Sequence, residues 1–258
     1  SLSISPNTDV LTTSALVCTA TASDDDGDTP TITYEWTNDS AGTALGSGDT
    51  LTLTPSDVSP GDSVICTATA EDADGGSATD SASVEVSNTA PVVDSVAITP
   101  SGSVVTGDLL TCAATASDED DETPTVTYEW TNDTAGTSLG TGDTYTVDSA
   151  DTSPGDVIAC TATAEDAYGG SDSDTDTVTV ENTEPTVDSI SVSPSSGVTT
   201  STELTCEATA SDADGDTPTI TYAWANSTDG SSLGSGDTLT LTSSTSSPDD
   251  SITCTATA

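Results

Sequence analysis

The strongest constraint on this chain is an internal repeat of 94 residues that holds without insertion over its whole length. Cys18, Cys112 and Cys206 lie 94 residues apart, and so do Cys66, Cys160 and Cys254. Trp36, Trp130 and Trp224 keep the same interval, as do Tyr34, Tyr128 and Tyr222. A fixed period of this size means that one folding unit is copied in tandem, each copy large enough to close its own core. The units run over 1–89, 90–183 and 184–258, and the third stops 24 residues short of a full period.

Within a unit the apolar residues alternate with a period of two, as in strands that bury one face. Leu16, Cys18, Ala20 and Ala22 share one face, and Ile32, Tyr34 and Trp36 share another. Leu51 and Leu53 follow, then Val64, Cys66, Ala68 and Ala70, then Ala82, Val84 and Val86. A leading strand carries Leu2 and Ile4 and recurs as Val96 and Ile98 and as Ile190 and Val192. Clusters such as Gly46-Ser47-Gly48-Asp49 and Ser59-Pro60-Gly61-Asp62 punctuate these runs. No helical period is present. The expected fold is all-β, three tandem β-sandwich domains, the third without its last strand.

Composition alone points the other way. The chain is 32% hydrophobic and carries 45 acids against no Lys, Arg or His, a formal charge of −45. Low hydrophobicity with high net charge is the signature of disorder, and the repeat overrules it. The charge also removes whole function classes. Phosphate neutralisation for nucleic-acid binding and polybasic membrane contact both need Lys or Arg. Histidine acid–base chemistry, lysine Schiff bases, P-loop phosphate grips and side-chain salt bridges are excluded too.

A Cys, a Trp 18 residues later and a second Cys 48 residues after the first resemble the immunoglobulin-like fold. There the two cysteines join strands B and F and the Trp on strand C packs against the bridge. The Tyr-x-Trp spacing and the Asn-Thr-Ala-Pro linker at 88–91 also resemble PKD and cadherin-like repeats of prokaryotic extracellular surface proteins. The resemblance implies bridges Cys18–Cys66, Cys112–Cys160 and Cys206–Cys254, with buried free thiols as the alternative. Bridges imply an oxidising, extracellular setting. The family's tyrosine corner is missing, because Val64, Ile158 or Ile252 stands two residues before the second Cys.

Acids crowd two loops of each unit. Between strands B and C lie Asp24, Asp26 and Asp28, then Asp118, Asp120 and Glu122, then Asp212, Asp214 and Asp216. After strand F come Glu71, Asp72 and Asp74, and Glu165 and Asp166 in the next unit. In an immunoglobulin-like sandwich these loops emerge at one end, beside the linker from the preceding unit. Carboxylates packed this way repel unless a cation joins them, and hard oxygen ligands with tight turns suit Ca²⁺. The competing reading is a set of solvated acidic loops. Asn38, Asn132 and Asn226 each open an Asn-x-Ser/Thr sequon just after strand C and are candidate glycosylation sites. The three Trp are read as core rather than sugar platforms. Paired carboxylates are the remaining catalytic option, but none stands in a context suggesting a raised pKa, so no enzyme is expected.

These readings converge on an extracellular structural protein: a segment of a cell-surface filament, rod or adhesin stalk, stiffened by Ca²⁺ at its junctions. The expected partners are other copies of itself or neighbouring repeats, with no nucleic acid and no direct membrane contact. The alternative is an adhesion module that binds surface glycans through the B–C and F–G loops; the near-interchangeable units favour scaffolding. No signal peptide or membrane span is readable, so an export signal or anchor is expected outside this sequence. The strand equivalent to Ala82–Val86 is absent from the third unit. Donor-strand exchange would explain that, but a cut through a longer repetitive chain is preferred. Charge that no ion offsets is expected to be solvated and tolerated best in salty or divalent-rich water.

Overall fold

A computed structural model describes all 258 residues. The first unit contains β1 (Leu2–Ser5), β2 (Ala15–Ala20), β3 (Thr31–Asn38), β4 (Thr43–Ser47), β5 (Thr50–Thr52), β6 (Ser63–Glu71) and β7 (Ser77–Glu85). The second contains β8 (Val92–Thr99), β9 (Leu109–Ser117), β10 (Thr125–Asn132), β11 (Thr137–Thr141), β12 (Thr144–Thr146), β13 (Val157–Glu165) and β14 (Ser171–Thr179). The third contains β15 (Thr186–Ser193), β16 (Glu203–Ser211), β17 (Thr221–Asn226), β18 (Ser231–Ser235), β19 (Thr238–Thr240) and β20 (Ile252–Thr257).

Each complete unit packs a three-stranded sheet against a four-stranded one. The orders are β1-β2-β5 with β4-β3-β6-β7, and β12-β9-β8 with β11-β10-β13-β14. The third unit has β15-β16-β19 and β18-β17-β20. All pairings between strands are antiparallel. This is an immunoglobulin-like sandwich in which strand C carries an additional edge strand.

The alternation seen in the sequence is the division between inside and outside. Leu16, Cys18, Trp36, Val64, Cys66, Val84 and Val86 fill the first core, and the second repeats it with Leu110, Cys112, Trp130, Ile158, Cys160, Val178 and Val180. Disulfides Cys18–Cys66, Cys112–Cys160 and Cys206–Cys254 join the two sheets in each unit, leaving no free cysteine. A closed loop of that length contributes about 4 kcal/mol in the chain-entropy account, which matters in a core with no Phe or Met. Every Trp is buried, and each indole N–H donates to a carbonyl at 2.9 Å, of Gly48, Gly142 or Gly236. They are core residues.

The three sequon Asn residues have a structural part in the fold. Asn38, Asn132 and Asn226 are buried. The Asn38 amide donates to Asp57 O at 3.2 Å and Asp62 Oδ2 at 2.7 Å, while its Oδ1 accepts from Ala41 N at 3.1 Å. Asn132 repeats the arrangement with Asp151 O, Asp156 Oδ2 and Ala135 N, and Asn226 donates to Asp250 Oδ2. The nitrogen that would carry a sugar is thus turned inward and already donating. These Asn residues tie the end of strand C to the corner before strand F, close to where a tyrosine corner would act.

Candidate functional site at the unit junctions

The B–C loops preset their acids by a local turn. Asp24 Oδ1 accepts from Asp26 N at 2.7 Å, Asp118 Oδ1 from Asp120 N at 2.7 Å, and Asp212 Oδ1 from Asp214 N at 2.8 Å. Such Asx turns follow from Asp two residues ahead of a free N–H. The F–G loops are set the same way. Asp72 Oδ1 accepts from Asp74 N and Gly76 N, and Asp166 Oδ1 from Tyr168 N and Gly170 N.

Where one unit meets the next, these loops engage the preceding unit and the linker. Asp120 is buried; its Oδ1 accepts from the Thr12 hydroxyl at 2.6 Å and its Oδ2 from Thr89 N at 2.7 Å. At the second junction Asp214 takes the Thr106 hydroxyl at 2.6 Å and Thr183 N at 2.6 Å. With no cationic side chain anywhere, hydroxyl and amide dipoles satisfy the carboxylates. The Thr106 hydroxyl and then the Thr183 N–H hold Asp214 below the usual carboxylate range. Burial alone would raise Asp166, but the Asn88 amide and the N–H groups of Gly170, Tyr168 and Gly169 outweigh it and hold it low.

The first junction also gathers oxygens that have no donor. Asn88 donates its Nδ2 to Asp166 Oδ2 at 2.8 Å, which leaves Asn88 Oδ1 buried and unpartnered. Thr89 Oγ1, Asp118 Oδ2 and Glu122 Oε2 are buried and unpartnered too. Burial, with the charges of Asp120, Asp166 and Glu119 added, pushes Asp118 above the usual range. Burial, with Asp118, Asp166 and Asp120 around it, does the same to Glu122. The sequence suggested no acid with a raised pKa, so both are departures from that reading.

The expected acidic cluster is only partly assembled. Asp118, Asp120, Glu122 and Asp166 come together beside Asn88 and Thr89, two linker residues that sequence reasoning did not single out. Glu71 and Glu165 end their strands with exposed side chains, and Asp26, Asp28, Asp74 and Asp216 are exposed. Asp24 and Asp72 line a groove on the first unit. No three acids converge as a finished metal-ligand set. Asn88 and Thr89 were detectable in principle, as the two polar residues that both linkers share, at Asn88-Thr89 and Asn182-Thr183.

No protein-family model matches the chain, and no curated protein does. Solved structures resemble it loosely. One covers immunoglobulin domains 1–5 of Sidekick-1, with 18% identity and a TM-score of 0.36 over 91% of this chain and 49% of that one, so the chain spans about half its length. Another is a tetra-tandem repeat from the extending region of a large adhesion protein, with 20% identity and a TM-score of 0.33 over 99% and 69%. A third holds three N-terminal domains of the outer capsid protein Hoc of bacteriophage RB49, with 21% identity and a TM-score of 0.28 over 100% and 86%. At TM-scores this low, none of these likenesses bears on function. Strand order, inter-sheet disulfides and core Trp define the chain as a tandem array of immunoglobulin-like sandwiches.

Proposed function

We propose that the chain is an extracellular structural protein, a segment of a surface filament, rod or adhesin stalk, whose junctions set the angle between units. The observation behind this reading is the repetition of one junction contact, Thr12 to Asp120 and Thr106 to Asp214, each at 2.6 Å. A linker that merely connected independent domains would need no buried contact of this kind. Three disulfides support an oxidising, extracellular setting. The glycan-binding alternative needs B–C and F–G loops free for a ligand, whereas Asp120, Asp166 and Asp214 are engaged by a neighbouring unit or linker.

At the first junction we assign a divalent cation, Ca²⁺, to the donor-free oxygens of Asn88, Thr89, Asp118 and Glu122. A buried oxygen without a donor costs about 1–3 kcal/mol, and this chain has no cationic side chain to satisfy it. The donor set is all hard oxygen, which fits Ca²⁺. The ion would supply positive charge and cross-link the linker to the B–C loop. Small-angle scattering and thermal melting, with chelator and with millimolar Ca²⁺, test both halves. A rod reading expects an extended, narrowly distributed shape in Ca²⁺; freely tumbling units would overturn it. Identical melting midpoints in the two conditions would remove the cation while leaving the rod intact.

A further inference from the structure

A groove of about 530 Å³ runs across the first junction. The first unit contributes the 7–9 turn, Pro60-Gly61 and the end of β7, and the second contributes Tyr168 from its F–G loop. Tyr168 is 49% exposed, and its loop is fixed by the turn in which Tyr168 N donates to Asp166 Oδ1 at 2.8 Å. Asp9 and Glu85, both exposed, line the same groove. These three side chains are not copied along the repeat, which has Ser103, Thr179 and Asp74 at their places. In the second unit Ser103 and Glu181 stand where the first has Asp9 and Ser87, and the Ser103 hydroxyl donates to Glu181 Oε1 at 2.6 Å. Asp9 makes no such bond to Ser87, and its carboxylate stays open to the groove. Asp118 and Glu122 lie outside these walls, so the groove is independent of the cation assigned above.

We propose that this groove binds an arginine-bearing segment of another protein, with the guanidinium on Tyr168 and its charge neutralised by Asp9 and Glu85. An aromatic face attracts a cation through its quadrupole. A guanidinium is planar, so it stacks on a ring while donating to carboxylates beside it. Nothing in these 258 residues supplies such a cation, because Lys and Arg are absent. The occupant is therefore a different protein rather than another copy of these units. A net charge of −45 draws basic partners toward every face, and Tyr168 gives them one place to settle. A neutral saccharide would also stack on a tyrosine. Charge-assisted hydrogen bonds are about twice as strong as neutral ones, however, and both carboxylates favour the cation.

The probe is a blocked Gly-Arg-Gly tripeptide, titrated into the full chain at physiological salt and in chelator. Affinity is read by NMR from the backbone amides of 7–9, 85–88 and 168–170. The expected result is saturable movement of these signals, about tenfold weaker when citrulline, neutral and of the same shape, replaces arginine. Tyr168→Ala should weaken binding about threefold, and Tyr168→Phe should leave it unchanged. Asp9→Asn with Glu85→Gln should weaken it about fivefold. Glu35→Gln with Asp39→Asn removes two exposed carboxylates elsewhere in the first unit and should change it by less than about twofold. Equal affinity for the citrulline peptide, equal losses in the two double variants, or no loss in Tyr168→Ala would overturn the proposal. So would cellotetraose moving the same amides in a Tyr168-dependent way when the arginine peptide does not, because a saccharide would then be the occupant.

Discussion

The Thr12 hydroxyl donates to Asp120 Oδ1 across 108 positions of sequence, and the Thr106 hydroxyl donates to Asp214 Oδ1 across the same separation. Thr12 is fully buried and Asp120 nearly so. The contact joins the turn before strand B of one unit to the B–C loop of the next, and the linker N–H takes the other carboxylate oxygen. Three chain segments are thus fixed by one side chain at each junction.

Replacing Asp120 with Ala orphans the Thr12 hydroxyl and Thr89 N–H together. Hydrogen bonds to a charged group contribute about 1.5–3 kcal/mol, so the first junction should loosen while the second holds. Scattering profiles of Asp120→Ala and Asp214→Ala chains should each show a bend at one junction only. A double-mutant cycle with Thr12→Val measures the coupling; zero coupling would mean that the contact does not fix the angle.

Gly170 is the glycine most closely packed against the junction. A methyl there would collide with Asp166 Oδ2 and meet Asn88 Nδ2 at 2.8 Å and Ala90 Cα at 2.9 Å. Gly170→Ala should therefore displace the linker and cost about 1–3 kcal/mol, the usual range for overpacking. Gly102→Ala, where nothing lies within 4 Å, is the control. Denaturant midpoints of the two variants should separate clearly.

Acid and base should stress the junctions in opposite ways. Asp166 and Asp214 are held low by hydrogen bonds, so their contribution is present above the ordinary Asp value of about 3.9. It is lost as pH falls through their lowered native values. Asp118 and Glu122 are raised, chiefly by burial. The folded chain binds their protons more tightly, so stability falls as pH rises from the ordinary carboxylate range through the raised values. Glu122→Gln should flatten this second loss in chelator, and Ca²⁺ should flatten it in the unsubstituted chain. Denaturation at stepped pH reads both.

Asn132→Ala should destabilise the second unit by about 1–3 kcal/mol, because Asp151 O and Asp156 Oδ2 lose their donor. Intact mass of the unsubstituted chain should equal the calculated value at all three sequons. Added hexose mass at Asn132 would contradict the inward-facing amide.

Sequence determined the repeat, the strands and the core. Period-two alternation separates buried Leu16 and Cys18 from their exposed neighbours, and this is local information because a strand's faces follow from backbone geometry. The Cys–Trp–Cys spacing likewise identified the sandwich, and the three bridges follow it. The structural part of the sequon Asn residues was not legible for a related reason: an Asn-x-Ser/Thr triplet says nothing about which way the amide points, and the corner around Asp62 and Asp156 turns it inward. The acidic loops were legible as clusters but not as individuals. Whether Asp26 stays in water or its counterpart Asp120 is buried against Thr12 depends on which residue, 108 positions away in sequence, packs beside it. Only tertiary structure brings Thr12, Asn88, Asp118 and Asp166 to one junction. Hydrogen bonding and burial there, rather than residue type, decide which carboxylates are satisfied and which are left without a donor.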